Sequence, residues 1–173
     1  CFGKELIGTL GIEDIDLTKL VIDFTKTGIS GFKALDIMNE KHNIQSEMAT
    51  LYNVLELVTI GNDKRDLDRL INAVKDIATN PEYEKDLEVN YSLPEITEIP
   101  KMAMIPRDAF YSDIKSIDFD NSSGEISAEL VSPYPPGIPI LIPGEIITDE
   151  IVSYLNIMKK YGAVINGAED KKL

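Results

Sequence analysis

The side chains best suited to chemistry are two carboxylates and a phenol in or near a proline-rich stretch, residues 133–145. Glu145 follows a Pro–Gly pair, and a carboxylate on a stiff loop could accept hydrogen bonds from an ammonium or guanidinium group. It could equally accept backbone donors near the helix start that we predict at Thr148. Glu129 lies on a predicted strand, and Tyr134 could pack its ring against the prolines or offer its hydroxyl to a site. The candidate binding residues are therefore Glu145, Glu129 and Tyr134, with Glu145 first.

Residues 133–145 hold five prolines and two glycines around a short apolar run. Each proline fixes its own φ, lacks a backbone donor and pushes its predecessor out of the helical region, which excludes a helix or a regular central strand. We expect the chain to run extended, turn at Gly137, pass through residues 138–142 and turn again at Gly144. Flexible linkers are polar and rich in Gly and Ser, so this apolar stretch predicts a packed loop. A rigid surface connection without a functional role is the alternative that loop shape leaves open.

The composition is that of a globular protein with an acidic, solvated surface. Of the 173 residues, 43% are hydrophobic and 27% are charged, and the formal net charge is −13. This charge repels phosphate backbones, which argues against a nucleic-acid partner. No apolar run approaches the ~20 residues that span a bilayer, and no secretory signal is visible at the start. We therefore expect no membrane partner.

Cysteine and histidine are scarce, with one residue of each type. Cys1 cannot form an internal disulfide, which fits the reducing cytoplasm, and one Cys with one His is too few for a zinc site. His42 has no visible catalytic partner, and we interpret it as an exposed or capping residue. Because the chain opens on Cys1 without an initiating Met, we interpret it as a piece of a longer protein.

The first 80 residues predict alternating strands and helices. Ser30 and Asp63 are the predicted helix caps, and apolar residues at helical spacing follow each of them. Runs rich in β-branched residues predict the strands. The predicted elements are a strand at 18–24, a helix from Ser30 to about 41, a short strand at 44–48, a stronger strand at 54–60 and a helix from Asp63 to about 80.

Residues 81–100 are acidic, contain three prolines and show little periodicity, which predicts a linker between two domains. Hydroxyl caps, turn residues and strand-forming runs mark the elements beyond it. These are a short helix beginning near Pro106, a β-hairpin of residues 114–118 and 125–131 around the turn 121–124, a helix from Thr148 to Gly162 and a last strand at 163–165.

The proline-rich loop resembles the signature of one enzyme family. Its residues are Ser127, Ala128 and Glu129, then Ser132 and Pro133, then the run PYPPGIP and the PGE that ends at Glu145. Together they are similar to the C-terminal domain of the ornithine/lysine/arginine decarboxylases, which use pyridoxal phosphate and have the aminotransferase-like fold. Weaker similarity to these enzymes lies at residues 16–19, where Leu17 stands in place of a proline, and at 28–31, 43–47 and 52–61.

The resemblance implies an α+β fold. It comprises an aminotransferase-like small α/β domain at 1–80, the linker at 81–100 and the family's C-terminal α+β domain at 101–173. The whole enzyme would remove CO2 from Lys, Arg or ornithine to give a polyamine or its precursor, with the cofactor as the electron sink.

The resemblance also implies that the catalytic lysine lies elsewhere. In the family this lysine follows a histidine in the large domain, and no His-Lys pair occurs in this chain. We therefore expect an upstream large pyridoxal-phosphate domain in the same polypeptide. This chain alone should bind no cofactor and be inactive; in the whole enzyme it would shape the active-site cleft and support a cytoplasmic homodimer or higher homo-oligomer.

A different class of function stays open: a free-standing, non-catalytic interaction or regulatory module derived from the decarboxylase tail. The reading frame upstream separates the two ideas, since a large domain with a His-Lys segment would eliminate the module. A hydrolase is poorly supported, because there is no Gly-x-Ser-x-Gly elbow and no nucleophile with a recognisable His partner.

Overall fold

The computed structural model describes residues 4–9, 11–87, 96 and 98–168. The chain divides into two compact units, Cys1–Val89 and Asn90–Leu173, called here the first and second units. Within the described ranges the units contain two small sheets and four α-helices, so the predicted α+β class is confirmed. None of the helices in these ranges is both long and apolar enough to cross a membrane.

The first unit is a three-stranded antiparallel sheet with two helices. Its elements are β1 (Lys19–Asp23), α1 (Gly31–His42), β2 (Met48–Ala49), β3 (Asn53–Leu57) and α2 (Lys64–Thr79). The strand order is β1-β3-β2, which makes β3 the central strand. Leu55 of β3 pairs with Val21 on one side and with Met48 on the other.

Local hydrogen bonds start both helices of this unit where the sequence predicts. The Ser30 hydroxyl accepts the backbone N–H of Lys33 at 3.2 Å. Asp63 accepts the N–H of Asp66, whose own carboxylate accepts the N–H of Asp63, which completes a capping box. Such caps satisfy donors that the first helical turn leaves free, so the two predicted caps are confirmed.

The strands of this unit are shorter than the sequence predicts. Only Met48 of the run at 44–48 lies in a strand, β2, and β3 ends at Leu57 rather than at residue 60. Beyond β3, the side chain of Asn62 accepts the N–H of Thr59 at 2.7 Å. This hydrogen bond uses the backbone N–H of Thr59, which a longer β-ladder would need as a donor. The competition explains why β3 ends at Leu57.

Alternation along β3 decides which side chains enter the core. Val54 and Glu56 are buried, whereas Leu57 at the strand end is exposed. Gly31 lets α1 approach this sheet, because a Cβ there would collide with the carbonyl oxygens of Thr50 and Asn53. The largest fully buried side chains of the unit are Phe24, Met38, Leu51, Val54 and Ile77.

The second unit has one pair of antiparallel strands and two helices among its described residues. They are α3 (Pro106–Tyr111), β4 (Ser132–Tyr134), α4 (Asp149–Lys160) and β5 (Val164–Asn166). Pro133 of β4 pairs with Ile165 of β5. The core cluster consists of Val131, Leu141, Ile151 and Leu155. The helices predicted at Pro106 and Thr148 are confirmed, although Ile105 contributes no side-chain cap to α3.

The predicted β-hairpin of residues 114–118 and 125–131 is wrong. A 3-10 helix, Phe119–Asn121, occupies its centre, and the Ser122 hydroxyl donates to the Phe119 carbonyl at 2.6 Å. The segment after it pairs instead through single bridges, Val131 with Leu141 of the proline-rich loop and Ile126 with Ile146 directly after that loop. Local hydrogen bonds and a long-range partner therefore replace the hairpin ladder, and Glu129 lies outside any strand.

The beginning of the predicted linker packs on the first unit. Asp86 accepts the backbone N–H of Ser30 at 2.8 Å and its hydroxyl at 2.5 Å. Leu87 is buried, and its N–H donates to the Gly28 carbonyl at 3.0 Å. Residues 88–95 and 97 lie outside the described residues. The domain boundaries at 80 and 100 stay a prediction.

Candidate functional site

The backbone around Glu145 is a turn that only glycine permits at its centre. Gly144 has φ +96°, and a Cβ at this position would collide with the Met104 carbonyl oxygen. Its N–H donates to the Ser127 carbonyl at 2.8 Å, and its carbonyl accepts the N–H of Ala103 at 2.8 Å. Gly137 also has a positive φ, so both turns that the sequence predicts in the loop are present.

Glu145 is a buried carboxylate that is anchored on one side only. Its side chain is 8% exposed. Oε2 accepts the backbone N–H of Ile142 at 2.8 Å, while the other oxygen has no hydrogen-bond partner among the described residues. The helix start at Thr148 does not use Glu145, because the Thr148 hydroxyl itself accepts the N–H of Ile151 at 3.3 Å. One oxygen is therefore available to a ligand.

Glu145 lines a cavity of about 410 Å³ within the second unit. The other lining residues are Ile96, Glu98, Ile99, Pro100, Pro139, Ile140 and Ile142. The walls are mainly apolar, and both charged residues that line the cavity are glutamates. An apolar enclosure strengthens the attraction between a carboxylate and a cation, because less water screens the pair. The arrangement therefore suits an aliphatic side chain that ends in a cationic group.

The structure does not bring the other two candidates into this cavity. Glu129 is exposed, and its backbone is held by Ser127, whose hydroxyl donates to the Glu129 carbonyl at 2.8 Å. Tyr134 is 56% exposed at the end of β4, with its ring beside Gly137. Neither residue lines the cavity of Glu145. Glu98 does line this cavity. It falls in the predicted linker, where no periodic pattern of apolar residues indicates a helix or a strand.

A second buried carboxylate, Glu56, was missed by sequence reasoning. It is 4% exposed on the buried face of β3, and the Ser46 hydroxyl donates to its Oε1 at 2.5 Å. Burial raises the pKa of Glu56, and the Ser46 hydrogen bond partly offsets that effect. The available signal was the period of two along the strand, which places residue 56 in the same phase as the apolar Val54.

A third carboxylate, Asp76 of α2, is hydrogen-bonded to three other side chains. The Tyr83 hydroxyl donates to Asp76 Oδ2 at 2.8 Å, and His42 Nε2 lies 3.0 Å from the same oxygen. Asn80 donates to Oδ1 at 3.1 Å. These contacts, that of Tyr83 first, lower the pKa of Asp76. His42 is half-buried. Its contact with Asp76 spans 34 residues of sequence, so no local pattern predicts it.

The described residues do not form a site for pyridoxal phosphate. A Schiff base needs a lysine amine beside the cofactor ring, with an acid against the pyridine nitrogen. Every described lysine is exposed or half-buried, and no lysine lines the cavity of Glu145. Lys115, for example, donates to Glu125 at 2.7 Å on the surface. No step of a reaction through the cofactor can be assigned to these residues.

Comparison with known proteins relates the chain to amino-acid decarboxylases. Residues 91–171 match the family model of the Orn/Lys/Arg decarboxylase C-terminal domain. The arginine decarboxylases of Bacillus anthracis and Bacillus subtilis are each 40% identical over the whole chain, which spans 35% of each relative. The lysine decarboxylase of Hafnia alvei is 27% identical over 75% of the chain, which spans 23% of that relative.

Solved structures extend the comparison to the fold. The lysine decarboxylase of Francisella novicida has a TM-score of 0.66 at 22% identity and covers 89% of the chain, which spans 29% of that structure. The constitutive lysine decarboxylase of Escherichia coli has a TM-score of 0.63 at 21% identity, with 91% and 30% covered. The chain thus spans about a third of the length of these two curated relatives, the arginine decarboxylases of Bacillus anthracis and Bacillus subtilis. Residues 91–171 are therefore similar in sequence to the C-terminal domain of the Orn/Lys/Arg decarboxylases, and the whole chain is similar to arginine decarboxylases.

Proposed function

We propose that this chain is part of a pyridoxal-phosphate-dependent decarboxylase that acts on a basic amino acid. The observation that carries the proposal is the 40% identity to arginine decarboxylases along all 173 residues. The cofactor site would be provided by a large domain of the same polypeptide, since the described residues do not form one. The isolated chain would accordingly be inactive.

We propose arginine as the substrate. Two relatives named arginine decarboxylase are 40% identical, whereas a relative named lysine decarboxylase is 27% identical. Both arginine and lysine carry a cation at the end of an aliphatic chain, so either fits an apolar cavity with a carboxylate. The planar guanidinium offers more donors than an ammonium and can use both oxygens of a carboxylate.

In this proposal Glu145 holds the distal cation of the substrate. The Ile142 N–H fixes one oxygen of the carboxylate at 2.8 Å, which orients the group. The unpartnered oxygen then accepts from the cation, and the aliphatic part of the substrate lies against the apolar walls. The enzyme would act as a cytoplasmic homodimer or larger homo-oligomer; the support is the resemblance of the proline-rich loop, together with the lone cysteine.

A chimeric enzyme tests the proposal. In it, this chain replaces the matching third of the Bacillus subtilis arginine decarboxylase, and CO2 release from arginine, lysine and ornithine is measured. We expect the chimera to favour arginine, and the isolated chain to release no CO2 from any of the three. A folded chimera that binds pyridoxal phosphate but decarboxylates none of them would contradict the proposal and favour a non-catalytic module.

Within the same chimera, Glu145→Gln tests the role of the carboxylate. Removing the charge while keeping the shape should raise KM for arginine about tenfold or more, as expected for loss of a charge-assisted hydrogen bond. The matched control is Glu129→Gln, an exposed carboxylate outside the cavity, which should leave KM unchanged. Equal effects of both substitutions would show that Glu145 does not contact the substrate.

A further inference from the structure

Glu56 is a buried carboxylate with an unused hydrogen-bonding atom. Its side chain is 4% exposed at the end of the central strand of the first unit. Ser46 donates to Oε1 at 2.5 Å, and the other oxygen has no partner among the described residues. This oxygen is not fully enclosed by the protein, so it is open to a donor from a ligand or from water.

The carboxylate lines a cavity of about 160 Å³ between β3, the segment after α1 and the first turns of α2. Six of its eleven lining residues are polar or charged, and the other five are aliphatic. The aliphatic residues are Ile44, Leu57, Val58, Leu67 and Leu70. At about 30 Å³ for each small molecule or heavy group, as in liquid water, the cavity holds roughly five heavy atoms. It is therefore suited to a small ligand that has both a polar group and an aliphatic part.

The charges around the cavity favour a cation. Arg69 and Asp66 also line it, and their closest N–O distance is 3.9 Å, a loose surface pair. Arg69 makes no ion pair with Glu56 in the structure. Two carboxylates and one guanidinium leave one net negative charge at the cavity, with the negative Glu56 in the buried position.

We propose that this cavity binds a short aliphatic ammonium ion, with the ammonium donating to the unpaired oxygen of Glu56 and the chain lying against Leu67 and Leu70. An ammonium ion donates to this oxygen and balances the charge of the carboxylate, while a chain of about four carbons packs against the aliphatic side chains. The site lies in the first unit, whereas Glu145 lies in the second, so the inference goes beyond the proposed function and does not depend on it.

Methyl NMR of the 173-residue chain tests this site with n-butylammonium as the probe and 1-butanol as its neutral counterpart. We expect saturable shifts of the Leu67 and Leu70 methyl groups with n-butylammonium and no comparable response to 1-butanol. Glu56→Gln, which keeps the side-chain shape and an acceptor for Ser46, should weaken binding about tenfold or more. The control is Glu47→Gln, an exposed carboxylate close to Ser46 in sequence, which should change nothing.

A second variant keeps the test decisive if Glu56→Gln does not fold. Leu67 is 38% exposed at the cavity edge, so Leu67→Lys should fold and should place a competing ammonium at the mouth. We expect it to abolish the response to n-butylammonium. The proposal is overturned if n-butylammonium causes no saturable shift, if 1-butanol binds equally well, or if Glu56→Gln and Leu67→Lys bind like the unmodified chain.

Discussion

Asp76 shows how a single residue joins parts of the chain that lie far apart in sequence. It contacts His42 at the end of α1, and Tyr83 and Asn80 beyond α2. Its lowered pKa reflects these donors, since each favours the ionised carboxylate. Glu56 is the opposite case, because burial raises its pKa and only Ser46 donates to it. The number of donors therefore separates a structural carboxylate from one that is open to a ligand.

Replacing Asp76 should weaken the first unit. We expect Asp76→Asn to lower the free energy of unfolding by about 1 to 2 kcal/mol near neutral pH, because the amide cannot satisfy all three donors. Urea unfolding followed by circular dichroism measures the change. The folded-state pKa of Asp76 lies below its ordinary 3.8, so its contribution is present above that value and is lost as the pH falls through the folded pKa. The difference between variant and parent should therefore shrink in acid.

The matched control for this change is Asp68→Asn on the same helix. Asp68 pairs only with Lys64, one turn away, and both side chains are largely exposed. Such pairs contribute at most about 0.5 kcal/mol. If Asp76→Asn and Asp68→Asn lowered the free energy of unfolding equally, the contacts of Asp76 with His42 and Tyr83 would contribute nothing to stability.

At the scale of elements, α4 connects the proline-rich loop to the core of the second unit. Thr148 caps it by accepting the N–H of Ile151, and Ile151 and Leu155 are fully buried. Acidic residues in its first turn and lysines in its last complement the helix dipole. Ile151 takes part in both the cap and the core. Unwinding of the first turn of α4 is therefore coupled to loss of the packing of Ile151.

Loss of the Thr148 hydroxyl should destabilise this helix. We expect Thr148→Ala to lower the local stability of α4 by about 1 kcal/mol, the usual effect of removing an N-cap. Amide hydrogen exchange along Asp149–Lys160 measures the change. Thr148→Ser keeps the hydroxyl and should exchange like the parent; if it exchanges like the alanine variant, the cap does not account for the stability of the helix start.

The elements also show which predictions local sequence can support. The caps at Ser30, Asp63 and Thr148 are confirmed because each depends on residues within one turn. The hairpin after residue 114 failed because its second half pairs with residues 141 and 146, which no turn residue specifies. Local signals thus located helix starts, whereas strand partners depended on long-range contacts.

For the whole molecule, sequence reasoning identified the family and the fold class but only part of the candidate site. Glu145 stood out because a Pro–Gly pair precedes it, and the structure gives it a buried position with one unpaired oxygen. Its cavity partners Ile96 and Ile99 come from a segment without periodicity, so sequence offered no means of finding them. Glu56 could have been found from the period of two along the predicted strand, because it has the same phase as the buried Val54.

The carboxylates of the whole molecule set the pH dependence of its stability in two opposing groups. Four described aspartates, Asp16, Asp23, Asp63 and Asp76, have lowered pKa values, mainly through hydrogen bonds to their neighbours. Their contribution is present above the ordinary value of 3.8 and is lost as the pH falls through the lower folded values. Burial raises the pKa values of Asp36 and Glu56, which disfavours the folded state wherever they are ionised. That penalty is relieved as the pH falls through the raised values.

Both the raised pKa values and the net charge of −13 should therefore make the protein more stable in mild acid than at neutral pH. We expect the free energy of unfolding, from urea titrations of dilute protein, to rise as the pH falls through the raised folded pKa of Glu56 and to drop below about 4, where the lowered aspartates protonate. High salt screens repulsion between exposed charges but affects a buried group less, so part of the rise should persist there. Glu56→Gln should remove much of that persistent part. A free energy that shows no rise from neutral pH into mild acid would contradict this account, because protonation of the buried Glu56 and a smaller net charge both favour the folded state there.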